Sequence, residues 1–267
     1  NFIPVDVNTF DSQAKENLRQ RLKKDKKITA LISYGSALED LLRFLEKNSD
    51  SSSMFNLKVV VSCSDTLKPE VKALGEKIFG CPVINRYSNE ECGIMGYSQP
   101  YSDEIVLNIA SYHFELLNIE NDEPVKPGEL GRLVVTDLFN KAMPLIRYDT
   151  GDLAISDDSG ENVKTIKTLV GRIADSLLTD SGILISGVTL SSYMQSYSES
   201  IEKYQLLCNE KNDLVMSVVM KGDDTPDIKK MLTELFGTSR KIEVVKVDDI
   251  PLEKNGKFKQ IINKYRG

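Results

Sequence analysis

Apolar and polar positions along the first hundred residues alternate between two periods. Residues 37–48, ALEDLLRFLEKN, place Leu38, Leu41, Leu42 and Leu45 on one face of a helix. Residues 57–63, LKVVVSC, hold an apolar run that does not alternate, as expected of a strand buried on both sides. A helix is predicted over residues 11–27 and a strand over ITALISY, followed by a turn at Gly35 and Ser36. A serine-rich loop at residues 50–53 precedes the LKVVVSC strand. Pro69 opens a further helix, PEVKALGEKIFG, and CPVINRY is another short strand. Alternating helices and strands of this kind predict an α/β layer with parallel pairing.

The period changes near residue 100. Segments such as GELGRLVVTDL, PLIRYDTGDLAIS and VKTIKTLVGRI are short, often alternating, and separated by turn residues. They predict antiparallel sheet of a barrel-like kind. Beyond Arg172 the chain reads as a hairpin turning at residues 180–182, a helix over residues 190–204 and a strand DLVMSVVMKG. A helix TPDIKKMLTELFG follows, with Thr225 as N-cap and Pro226 at its first position. A strand RKIEVVKVDDI and a basic tail ending in a short helix complete a small α+β domain. The predicted boundaries are 1–171, with its α/β part about 1–100 and its antiparallel part about 101–171, and 172–267.

Composition narrows the function. The 267 residues are 40% hydrophobic and 28% charged, which excludes wholesale disorder. A net charge of −6 disfavours a nucleic-acid surface. The one basic run, RQRLKKDKK at residues 19–27, is broken by Asp25 and reads as a solvated helix face. No apolar run is long enough to span a bilayer. The opening NFIPVDVNTF has neither the basic leader nor the apolar segment of a signal peptide, so a cytoplasmic location is expected. It also lacks an initiating Met, so the chain is expected to begin at a processing point or other boundary. Cys63, Cys81, Cys92 and Cys208 form no metal-binding pair and read as buried free thiols. His113 is the only histidine and reads as a strand residue, which leaves little room for a histidine-based triad.

Four loops carry candidate chemistry. NRYSNEECGIMG, residues 85–96, follows a strand and offers the Tyr87 ring and the adjacent carboxylates of Glu90 and Glu91. Solvated acids are the simpler reading there. RYDTGD, residues 147–152, ends in Asp152, a carboxylate able to accept two ribose hydroxyl protons. The alternative is a hairpin whose acids cap backbone amides. LVGRIADSLL, residues 169–178, presents Arg172, a fork for phosphate or ribose or else one arm of a salt bridge. PLEKNGKFKQ, residues 251–260, carries Lys257 in a basic turn, able to neutralise phosphoryl charge or simply solvated.

Taken in order, the four resemble the adenylate-forming superfamily of acyl- and aryl-CoA ligases, in particular the phenylacetate–CoA ligase branch and its capsule-biosynthesis relatives. RYSNEE is similar to the family's Tyr-Gly-x-Thr/Ser-Glu, YDTGD to Tyr-x-Thr-Gly-Asp, GRIADSL to Gly-Arg-x-Asp-Asp-x-Leu, and PLEKNGK to Pro-x-Thr-x-Ser-Gly-Lys. The resemblance implies a partial N-terminal adenylation domain followed by a mobile C-terminal α+β domain. It implies adenine stacking by Tyr87, a Mg²⁺ ligand in Glu91, ribose binding by Asp152 and Arg172, and a catalytic Lys257. ATP or AMP, Mg²⁺ and coenzyme A are the implied cofactors. A small carboxylic acid and a thiol acceptor are the implied partners, and a homodimer is among the assemblies allowed. Ser88, Glu90 and Ala174 depart from the motif glycine, hydroxyl and aspartate. The glycine-rich phosphate loop that precedes the tyrosine motif in the family has no counterpart among these residues. The expectation is therefore an AMP-forming ligase acting as part of a longer parent chain, with an inactive nucleotide-binding or protein-interaction module as the alternative.

Overall fold

The computed structural model describes residues 2–7, 9–64, 67–222, 227–251 and 258–265. Backbone packing groups them into two compact units. One runs to Thr150 and includes Ala154–Leu169; the other comprises Gly151–Leu153 and the described residues from Val170 onward.

The first unit begins with helix α1 (Ser12–Lys24), strand β1 (Ala30–Tyr34), α2 (Gly35–Lys47), β2 (Val59–Cys63), α3 (Pro69–Phe79) and β3 (Val83–Asn89). β1, β2 and β3 pair in parallel, as alternating helices and strands require. The leucines of α2 that share a helical face are all buried, Leu38, Leu42 and Leu45 at 0% exposure. They pack with Val60, Val71, Ile78 and Val83 in one hydrophobic cluster. Pro69 stands in the first turn of α3, and Gly80 ends that helix with φ +66°. The predicted turn at Gly35 and Ser36 is instead the first turn of α2: β1 runs into the helix without a loop, and buried Gly35 and Ala37 anchor the junction.

The basic run is not wholly solvated either. Arg19 grips Asp50 with two hydrogen bonds of 2.5 and 3.0 Å, and Lys23 adds a third of 2.5 Å. Asp50 has a fully buried side chain, so these cations dock α1 onto the end of α2. Burial alone would raise the Asp50 carboxyl, but the hydrogen bonds from Arg19 and Lys23 outweigh it and hold the group below its ordinary value.

The chain continues through β4 (Gly93–Ser98), β5 (Ile105–Leu107), β6 (Tyr112–Leu117), β7 (Leu130–Asp137), β8 (Tyr148–Ile155), β9 (Thr165–Ile166) and β10 (Thr168–Arg172). β4, β5 and β9 extend the parallel strands into a six-stranded mixed sheet, β1-β2-β3-β4-β5-β9. The other strands form a second sheet, β10-β8-β7-β6. Met95, Ile105 and Ile166 from the first sheet and Phe114, Leu133 and Val135 from the second share one core. His113 stands on β6 opposite Thr136, as a strand histidine. All four cysteines are free and buried.

The second unit holds the hairpin β11 (Leu177–Leu178) and β12 (Leu184–Ile185), α4 (Gly187–Met194), β13 (Ile201–Cys208), β14 (Leu214–Met220), α5 (Ile228–Phe236), β15 (Ile242–Lys246) and β16 (Ile261–Asn263). The sheet order is β15-β14-β13-β16. Two expectations fail here. The helix predicted over residues 190–204 stops early, because residues 201–208 pair with β14 and β16 as a strand and bury Ile201, Leu206 and Cys208. The predicted terminal helix is instead β16, whose Ile261 is 1% exposed and pairs with Leu206. The N-cap of α5 is Asp227, which accepts from the Lys230 amide; Thr225 and Pro226 lie outside the described residues.

Candidate nucleotide site

The YDTGD segment lies in β8, and each of its residues is positioned differently. Asp149 accepts from Arg132 of β7 at 2.7 Å. Arg132 is mostly buried, donates to the Asn118 and Asn121 carbonyls and pairs with Asp122. Burial opposes its charge, but hydrogen bonds to Asp149 and Asp122 outweigh that and raise its pKa. Thr150 donates its hydroxyl to the Leu133 carbonyl at 2.9 Å. These contacts fix one half of the segment to the neighbouring strand. Gly151 then takes φ +73° with open space around it, so the glycine is required by its backbone and not by crowding.

Asp152 follows, with a side chain 13% exposed. Its Oδ1 lies 3.5 Å from Nε of Arg172, whose side chain is 61% exposed. Arg172 ends β10 directly after Gly171, which has φ +111°. The Arg172 carbonyl accepts from the Ser176 hydroxyl at 2.8 Å, which holds the turn beyond it. A mostly shielded carboxylate thus sits beside a solvent-facing guanidinium, each set by a left-handed glycine. Chemically the pair offers acceptors for two vicinal hydroxyls and donors for a hydroxyl or phosphate.

Tyr87 and Glu91 belong to the β3–β4 hairpin. Tyr87 is 5% exposed and its ring packs in the core between the two sheets. Glu90 and Glu91 occupy the hairpin turn, both exposed. Asn89 Oδ1 accepts from the Cys92 amide at 2.7 Å, and Tyr112 donates its hydroxyl to the Cys92 carbonyl, so the turn is well anchored. Among the described residues no group of three or more His, Cys, Asp or Glu is arranged to hold a metal. Mg²⁺ is commonly held by one or two carboxylates together with phosphate oxygens, and Glu91 fits that kind of donor.

The sequence and the fold are similar to those of known proteins. Residues 177–264 match the family model of the CapK C-terminal domain. Protein CapK of Staphylococcus aureus is 26% identical over 260 residues, 93% of this chain and 56% of its own length. Phenylacetate-coenzyme A ligase of Thermus thermophilus is 29% identical over 194 residues, 70% of this chain and 43% of its own. By these relatives the chain is similar to the adenylate-forming CoA ligases, with a C-terminal segment of the CapK kind. Solved structures agree on the fold. 2-Hydroxyisobutyryl-CoA ligase, in the postadenylation state with R3-HIB-AMP, superposes with a TM-score of 0.72 at 19% identity, over 95% of this chain and 58% of that one. The anthranilate CoA ligase AuaEII, in complex with anthranoyl-AMP, gives 0.66 at 16% identity, over 97% and 52%. The chain spans about half the length of the curated relatives it matches.

Of the site residues predicted from sequence, the structure pairs Asp152 with Arg172 and sets Tyr87 and Glu91 on one hairpin. Lys257 lies outside the described residues. Sequence reading missed the supports. Arg132 was hidden because it acts on Asp149 from another strand. Asp175, three residues beyond Arg172, pairs with Lys259 at 2.8 Å, and Asn263 donates to the Ser176 carbonyl at 3.1 Å. Their closeness to Arg172 and Lys257 in sequence was the available signal.

Proposed function

We propose that this chain is the ribose-binding and lysine-bearing part of an AMP-forming ligase, which activates a carboxylic acid as an acyl-adenylate and passes it to a thiol such as coenzyme A. The juxtaposition of Asp152 and Arg172 carries the reading. Asp152 accepts the ribose hydroxyls and Arg172 supports it from the exposed side. Glu91 serves as the carboxylate for Mg²⁺, which supplies charge neutralisation at the phosphates. Lys257 neutralises charge on the carboxylate and α-phosphate, and residues 172–267 act as the moving C-terminal domain. Attack of a carboxylate on the α-phosphate needs alignment and charge stabilisation more than a general base, which suits a chain with a single histidine.

One observation favours a second reading, a module that holds a nucleotide by its ribose alone, without catalysis. Adenine stacks only on an open ring face, and the Tyr87 ring is covered by core residues. Pyrophosphate release with a panel of aryl and acyl acids, measured beside AMP binding, separates the two. Binding with release supports the ligase, and binding without release for any acid supports the module. Absence of AMP binding overturns both.

A further inference from the structure

The second unit carries a pocket of about 280 Å³ at the carboxyl end of α5, unrelated to the superfamily motifs. Lys229, Thr233, Gly237, Thr238, Arg240 and Lys241 line it, and the Asp180 carboxylate stands against Gly237 and Arg240. The cations are not needed to cap the helix. The Asp180 amide already donates to the Phe236 carbonyl at 3.0 Å, and the Gly237 amide to that of Thr233 at 2.9 Å. Asp180 also fixes the loop beyond the helix, since its carboxylate accepts from the amide and hydroxyl of Ser239.

Arg240 is the informative residue. Its side chain is 9% exposed and lies over the Phe236 ring at 6.0 Å. One Nη donates to the Leu178 carbonyl at 2.9 Å, and Asp180 stands 3.8 Å away. Its Nε is buried and has no hydrogen-bond partner among the described residues. A buried guanidinium donor without an acceptor is costly unless a ligand or water completes it. Lys241 has Glu243 at 3.6 Å, with both side chains exposed. The wall remains positive within a chain of net charge −6.

We propose that this pocket binds a phosphate monoester. Its doubly charged head matches two lysines and a fixed guanidinium, and its several acceptor oxygens match the lysine ammonium groups and the Thr238 hydroxyl. The inference does not depend on the ligase reading.

Amide correlation spectra of the intact chain, titrated at constant ionic strength, test it. Inorganic phosphate and adenosine 3′,5′-bisphosphate are the probes, with adenosine as the control. Both phosphates are expected to shift the Thr238, Ser239, Arg240 and Lys241 amides saturably, and adenosine is not. Lys229→Ala combined with Lys241→Ala, both exposed enough to leave folding intact, weakens that binding about fivefold. Asp152→Ala leaves it unchanged. Tighter binding of the bisphosphate identifies a nucleotide as the source of the phosphate, and equal binding identifies the free anion. Absence of saturable shifts at these amides, or an unchanged affinity in the double variant, overturns the proposal.

Discussion

Asp50 is a carboxylate with a fully buried side chain, held by two cations that are themselves 16% and 21% exposed. Sequence pattern marked the cations and misread them, because their partner lies 27 and 31 residues away. Removing the acid strands Lys23 and leaves Arg19 with Glu16 as its carboxylate, although each cation retains some water. Asp50→Asn is therefore expected to cost about 2–3 kcal/mol at neutral pH, below the full cost of breaking a buried pair. The folded-state pKa of Asp50 is depressed, so its contribution is complete above the unfolded value of about 3.9 and is lost as pH falls through the folded value. Urea midpoints of wild type and variant should differ at pH 7 and converge in strong acid. A gap that persists unchanged at low pH would show that charge is not the cause. Asp152 and Arg172 are the opposite case: their motifs were legible in sequence, because a glycine with positive φ precedes each and no other residue adopts that backbone cheaply.

Elements were legible where one period ran without interruption. The α2 leucines, the β2 valines and Pro69 of α3 each obeyed a single local rule, and the structure matches it. Errors arose where a strand lies at a boundary and gains its stability from distant partners. Residues 201–208 look helical in composition, yet they pair with β14 on one side and β16 on the other. Three residues of β16 carry no readable period, and only their register against Leu206, Leu207 and Cys208 makes them a strand. That strand has a thermodynamic signature. Ile261 belongs to the core cluster of the second unit, so Ile261→Ala is expected to destabilise that unit by about 2–4 kcal/mol. Denaturant unfolding followed by a probe on β13 reads the effect. A loss below about 1 kcal/mol would mean that β16 is only loosely docked.

At the scale of the whole chain, two compact units carry the superfamily fold over about half the length of the relatives. β8 and β10 bear Asp152 and Arg172. The order of the four motifs made the superfamily legible in sequence, while the hydrogen bonds that fix those motifs were not. The ribose role proposed for Asp152 and Arg172 is read by calorimetric titration with AMP. Wild type should bind saturably, and Asp152→Ala and Arg172→Ala should each abolish or weaken binding at least about tenfold, the loss of one charge-assisted hydrogen bond. Saturable binding of AMP that is unchanged in both variants, or no binding by wild type, would contradict it.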